Sequence, residues 1–205
     1  MSTAQQPEFV SMDEYLRLES ASPIRHEYVD GWVRAMTGAT NRHNRVKSNC
    51  FGSIWQSLRG RPCVPYDSDT KVRIRKLAST KYYYPDLLVV CDSNAPTDVF
   101  QDRPVLIVEV LSPSTRSIDL DEKLSAYLTI DSLDVYIILE QHKPLAIIMR
   151  RTPDGFLRET YEGMDARIEL PMLGFRLNLS DVYEGVEFTA SCVQEPDPEY
   201  EVSHT

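Results

Sequence analysis

At 205 residues, 42% hydrophobic and 26% charged, the chain has the make-up of one water-soluble globular core rather than of a fibrous or disordered protein. No apolar run approaches the roughly 20 residues that a membrane helix needs. The polar start Met1 to Pro7 lacks the blocks of a secretory signal, so a cytoplasmic protein without membrane contact is expected. The net charge of -9 argues against a uniformly basic surface, but no Asp or Glu occurs between Gly31 and Tyr66, where Arg34, Arg42, Arg45, Lys47, Arg59 and Arg61 lie. A local basic face could still steer a polyanion.

In chain order, Ser11 and Glu14 have the spacing of a capping box, opening a short helix with Met12, Tyr15, Leu16 and Leu18 on its apolar side. Arg25 to Met36 reads as a hairpin turning at Asp30-Gly31, with Glu27 on its first strand. From Thr40 to Leu58, Val46, Cys50, Phe51, Ile54, Trp55 and Leu58 recur at helical spacing until Gly60 and Pro62 stop the run. Strands are expected at Cys63 to Tyr66, Lys71 to Lys76, Pro85 to Cys91 and Pro104 to Leu111. A helix over about Ser117 to Thr129 follows, then strands at Leu133 to Leu139 and Leu145 to Arg150.

Phe156 to Tyr161 and Arg167 to Leu170 look like shorter peripheral strands, and Asn178 to Tyr183 like a closing helical turn. The reading is a mixed central β-sheet flanked by helices, an α/β fold. A single domain over 11–189 is expected between a flexible start, 1–10, and an acidic tail, 190–205. The scattered Cys50, Cys63, Cys91 and Cys192, with no C-x-x-C pair, read as small packing residues and argue against a zinc site or disulfide framework.

The chemistry concentrates at Glu109, a carboxylate inside the aliphatic strand Pro104 to Leu111. An ionised acid there costs several kcal/mol unless a cation or hydrogen bonds compensate it. Asp86 opens the preceding apolar strand. If the two strands pair as a hairpin with Asp86 opposite Glu109, then Cys91 falls opposite Pro104 and residues 92–103 form the loop. Two acids so placed repel unless a divalent cation lies between them, and their oxygens suit magnesium or manganese. Lys123 can lean back toward the helix start and reach them. Simpler roles compete: Asp86 as a strand-start acid, Glu109 as a bonded buried acid, Lys123 as a surface partner of Asp119, Glu27 as a partner of Arg25 or Arg34, and His43 as a satisfied structural histidine.

The succession Tyr84-Pro85-Asp86, Glu109-Val110-Leu111-Ser112-Pro113-Ser114-Thr115, Asp119 and Lys123 resembles the Uma-type restriction endonuclease family of the PD-(D/E)xK superfamily, from about residue 10 to 185. The chain departs from that family after the helix, where Ile130-Asp131-Ser132, Val135-Tyr136 and Glu140 replace a glycine and a Tyr-Trp strand ending in Asp. The resemblance implies a restriction-endonuclease-like fold and a magnesium-dependent endonuclease that hydrolyses DNA phosphodiesters, with manganese as substitute. Asp86, Glu109 and the Val110 backbone carbonyl would hold the metal. Lys123 would orient water or stabilise charge, with Lys123 standing in for the lysine that the family has moved from the strand to the helix. Glu27 would complete the site. His43, Arg42, Arg45 and Lys47 are the candidate substrate contacts. A homodimer is expected by analogy, with the apolar hairpin Leu133 to Arg150 as a covered face. A protein that only binds nucleic acid or a protein partner is the competing reading.

Overall fold

A computed structural model describes residues 9–77, 79–113 and 116–188. Most of the expected flexible start, the acidic tail, Cys192 and the hydroxyls of Ser114 and Thr115 lie outside the described residues.

The serine half of the capping box forms. Ser11 Oγ accepts from the Glu14 amide at 3.3 Å and opens α1, Met12–Ala21, whose buried residues are Tyr15 and Glu19, while Leu18 stays exposed. Strands β1, His26–Val29, and β2, Trp32–Ala35, pair antiparallel around Asp30 and Gly31, whose φ values of 48° and 99° are those of a type I′ turn. Thr40 caps α2, Asn41–Leu58, by accepting from the His43 amide at 3.2 Å, a contact of the kind that stabilises a helix by about 1 kcal/mol. Val46, Cys50, Ile54 and Leu58 are buried along α2. Trp55, expected beside them, faces solvent with Arg59 over its ring.

The chain continues through β3, Val64–Asp67; β4, Lys71–Lys76; β5, Ser79–Tyr83; β6, Leu87–Val90; β7, Phe100–Gln101; and β8, Pro104–Leu111. Helix α3 is a π-helix over Ile118–Lys123 and α-helical over Leu124–Tyr127. After it come β9, Val135–Glu140; β10, Leu145–Thr152; β11, Gly155–Glu162; β12, Arg167–Leu170; β13, Phe175–Asn178; and α4, Leu179–Val182. No helix among the described residues is long and apolar enough to cross a membrane.

The larger sheet has the order β11-β10-β9-β8-β6-β3 and is mixed, because β8 and β9 run parallel across α3 while the other neighbours are antiparallel. A smaller sheet has the order β2-β1-β5-β4-β7. Alternation along β8 sorts the core into two faces. Leu106, Val108 and Val110 pack with α2, β12, β13 and α4, whereas Ile107 and Leu111 pack with α3 and with β4 and β5 of the smaller sheet. Covering on both sides explains why β8 and β9 are almost continuously apolar. It also means that the β9–β10 hairpin, expected as a partly covered outer face, has β9 in the interior of the sheet.

The predicted register holds in its first half. Leu87 pairs with Val108, Leu88 with Ile107 and Val89 with Leu106, which brings Asp86 and Glu109 to one end. A bulge between Val89 and Val90 then sets Val90, not Cys91, opposite Pro104. The loop 92–103 is likewise not all loop, because Phe100 and Gln101 pair with β4. Cys91 instead meets Cys63 beside the Val64–Val90 pair, and the two form a disulfide. The expectation of unbonded packing cysteines is therefore wrong for this pair. Their spacing gave no sign of it, because the contact arises from β3 pairing with β6. Cys50 is free and buried, and burial pushes its thiol up to about 12.

Away from the larger sheet, Glu19 is 2% exposed and accepts from the Tyr84 hydroxyl at 2.8 Å, the His26 amide at 2.9 Å and His26 Nδ1 at 2.9 Å. Burial raises its pKa, but these bonds outweigh it and hold the carboxyl below the ordinary 4.5. The folded chain therefore releases this proton more readily than the unfolded chain. The resulting stabilisation is complete above the unfolded pKa and is lost as pH falls through the lower folded value. Urea titrations between pH 6 and pH 3 are expected to show a shallower acid loss of stability for Glu19→Gln than for the parent; equal slopes would remove Glu19 from the acid response.

Candidate active site

Strands β1, β6 and β8 and helices α2 and α3 converge where β6 begins and β8 finishes. Glu109, 3% exposed, accepts from the Asp86 amide at 3.3 Å through Oε2, and from Lys123 Nζ and the Tyr127 hydroxyl, each at 3.0 Å, through Oε1. Asp86 Oδ2 accepts from the Val110 amide at 2.8 Å and lies 3.1 Å from His43 Nε2. The carboxyls of residues 86 and 109 thus share one lip of the sheet, as the pairing register requires.

Lys123 comes from α3 and is 6% exposed rather than solvent-facing. Its Nζ lies 3.0 Å from Glu27 Oε1, 3.0 Å from Glu109 Oε1 and 3.3 Å from Asp119 Oδ1. Asp119 precedes it by four residues and is 2% exposed, so the pair that sequence offers as a surface contact lies inside the protein. The wider i→i+5 turn of the π-helix carries both residues on its buried side, and such turns are frequent at functional sites. Glu27 arrives from β1 of the smaller sheet. Its Oε2 bonds Arg34 at 2.7 Å, and Arg34 also meets Glu122 Oε1 at 3.2 Å, to which the Tyr83 hydroxyl donates at 2.9 Å.

The electrostatics follow from this crowding. Burial pushes the Glu109 pKa well above the usual carboxylate range; Asp119, Asp86 and Glu27 add to the rise and Lys123 opposes it. Burial works against the charge on Lys123, but Glu109, Glu27 and Asp119 more than offset it and hold the ammonium well above its ordinary value. His43 is likewise raised on balance. Burial lowers it, while Asp86 and a hydrogen bond to the backbone of Val110 raise it further.

The site residues expected from sequence do not all gather. Asp86, Glu109, Lys123, Glu27 and His43 come together. Lys47, one turn after His43, reaches Ser68 Oγ at 3.0 Å, Arg45 is exposed, and Arg42 turns to His142 Nδ1 at 2.8 Å beside the β9–β10 turn. The sequence offered Arg34 as a partner of Glu27, and the hairpin makes that pair. It offered Asp119 only as a surface partner of Lys123, and nothing local pointed to Glu122.

This is an α/β fold of the restriction-endonuclease-like kind. A crystal structure of a putative nuclease belonging to DUF820 from Anabaena variabilis aligns with a TM-score of 0.67 and 16% identity, over 85% of this chain and 97% of that one. The chain belongs to the Uma2 family, described as putative restriction endonuclease, whose profile matches residues 12–180. Two relatives from Synechocystis sp. are similar in sequence. The uncharacterized protein slr1290 is 30% identical over 181 residues, 87% of this chain and 94% of its own length. The uncharacterized protein sll1609 is 31% identical over 131 residues, 62% of this chain and 73% of its own.

Proposed function

We propose that the protein is a magnesium-dependent DNA endonuclease whose reaction takes place at Asp86, Glu109 and Lys123. The observation that carries this is the surplus of carboxylates: Glu27, Glu109 and Asp119 are buried around a single buried lysine, and Asp86 adjoins them. A cation is the simplest compensation for that surplus. The donor chemistry fits magnesium, which keeps several waters and takes one or two carboxylates rather than a closed protein cage. Among the described residues no three His, Cys, Asp or Glu side chains are placed to hold a metal ion together, so the ion would rest on two carboxylates and one carbonyl. Asp86, Glu109 and the Val110 carbonyl would hold the ion, with manganese as a substitute. When bound, such an ion polarises a phosphate and lowers the pKa of a coordinated water.

The chain's own groups set the rest. An ammonium has three donors, and all three carboxylates around Lys123 lie within contact distance of it. To orient a water or stabilise a pentavalent phosphorus, Lys123 must exchange one of them. Glu109, drawn to a cation, is the partner that lets go, while Glu27 and Asp119 keep the lysine in place. Glu27, pinned by Arg34, is the candidate proton acceptor. His43 and Lys47 share one side of α2 and would meet the DNA backbone, whereas Arg45, two residues from each, points to the other side of the helix. Cutting both strands of a duplex needs two such sites, so the acting form is proposed to be a homodimer built through a surface other than β9.

The test is divalent-metal binding at neutral pH, followed by plasmid nicking with magnesium or manganese. The parent is expected to bind and cut, and Glu109→Gln and Asp86→Asn to do neither. Metal binding without cleavage of any DNA or RNA offered would replace this reading with a binding-only protein. One observation favours that second reading: His43 Nε2 lies 3.1 Å from the Asp86 carboxylate, a group the metal would need.

A further inference from the structure

At the other end of the smaller sheet, a cleft of about 270 Å³ opens between β4, the turn before β8 and the segment after α3. β4 leads to it from Val72, which pairs with Tyr83 near the catalytic lip, so Lys76 lies about 13 Å further along the strand at 3.3 Å per residue. The cleft is separate from the Asp86 site. Its floor includes the buried side chains of Ile74 and Ile130. Around them stand four cations, Arg73, Arg75, Lys76 and Arg103, against the two acids Asp102 and Asp131. In a protein with a net charge of -9, that is a local reversal of sign.

Only one of the four cations is firmly committed. Arg73 makes two bonds of 2.7 Å to Asp102 and lies 3.9 Å over the Phe100 ring, which fixes its guanidinium at the wall. Lys76 has only the fully exposed Asp131 at 3.7 Å, and Arg103 only the largely exposed Asp92 at 3.2 Å. Arg75 is exposed and makes no ion pair among the described residues. Ion pairs between exposed groups hold their members weakly, so three cations are available to an incoming anion. Arginine in particular matches the geometry of phosphate oxygens.

We propose that this cleft binds a single nucleotide through its terminal phosphate, with the phosphate on Lys76 and Arg103 and the nucleoside against Ile74 and Ile130; Arg75, on the opposite face of β4, adds only its charge. The volume suits one nucleotide and is too small for a duplex, lying just below the usual range of small-molecule pockets. The ligand is either a free mononucleotide or the phosphorylated end of a strand, and both present the same chemistry. The proposal stands apart from the nuclease reading, since it uses none of that site's residues.

Calorimetric titration of the full chain with AMP, with inorganic phosphate, and with a dinucleotide carrying either a 5′-phosphate or a 5′-hydroxyl tests it. AMP is expected to bind more tightly than inorganic phosphate and to weaken as salt rises. The double variant Lys76→Glu/Arg103→Glu is expected to lose at least tenfold in affinity with an unchanged melting temperature, and Glu109→Gln to bind AMP as the parent does. Binding of the 5′-phosphorylated dinucleotide but not its 5′-hydroxyl form supports a strand end as the source; binding of AMP alone supports a free nucleotide. The proposal is overturned if AMP does not bind, if inorganic phosphate binds equally well, if the double variant binds undiminished, or if Glu109→Gln abolishes binding.

Discussion

Lys123→Met is expected to lower the stability of the fold by about 3–5 kcal/mol, the usual cost of removing one partner from a buried ion cluster. The reason lies in what remains. Glu27, Glu109 and Asp119 are each under 5% exposed, and all three place an oxygen within 3.3 Å of the lost ammonium. Arg34 still compensates Glu27, but among the described residues Lys123 is the only cation that pairs with Glu109. At roughly 2–4 °C per kcal/mol for a domain of this size, the midpoint of thermal unfolding falls by roughly 6–20 °C. A Lys123→Met protein that melts with the parent would show that the carboxylates are already neutral without the lysine.

Breaking the Cys63–Cys91 bond is the second large effect. The bond closes a segment with a sequence separation of 28 residues, for which the chain-entropy account gives about 3–4 kcal/mol. Denaturation with and without dithiothreitol measures it directly. The parent is expected to lose stability on reduction, and the Cys63→Ser/Cys91→Ser variant to start low and ignore the reductant. Cys50 does not confuse the result, since it is buried and free. If reductant leaves the parent unchanged, the two thiols are unbonded in solution. The outcome also bears on where the protein works, because such bonds persist in oxidising compartments and are rare in the cytosol.

How far the sequence discloses this molecule differs from element to element. The capped helices, the Asp-Gly hairpin and β8 were legible because each is specified locally, by a cap, a turn dipeptide or a run of aliphatic residues. The same run exposed Glu109 as an anomaly, and two-residue periodicity then located Asp86 beside it. β5, β7 and β13 were not legible: they are short or mixed in pattern, and they become strands by pairing with distant partners. The bulge at Val89 and Val90 shifted one half of a register that was otherwise correct, and with it the fate of Cys91. The contact between Arg34 and Glu122 was hidden for a related reason, since they are 88 residues apart and meet only when the smaller sheet lies over α3. Trp55 shows the opposite error, in which helical spacing marked a residue as apolar core that the fold leaves outside.

Glu27 rides on one sheet, Asp86 and Glu109 on the other, and Lys123 on a helix more than ninety positions after the first of them. A ribosome must therefore release well over half of the polypeptide before the four can meet, and loosening either layer scatters them again. Immature or heat-damaged copies therefore lack the assembled cluster.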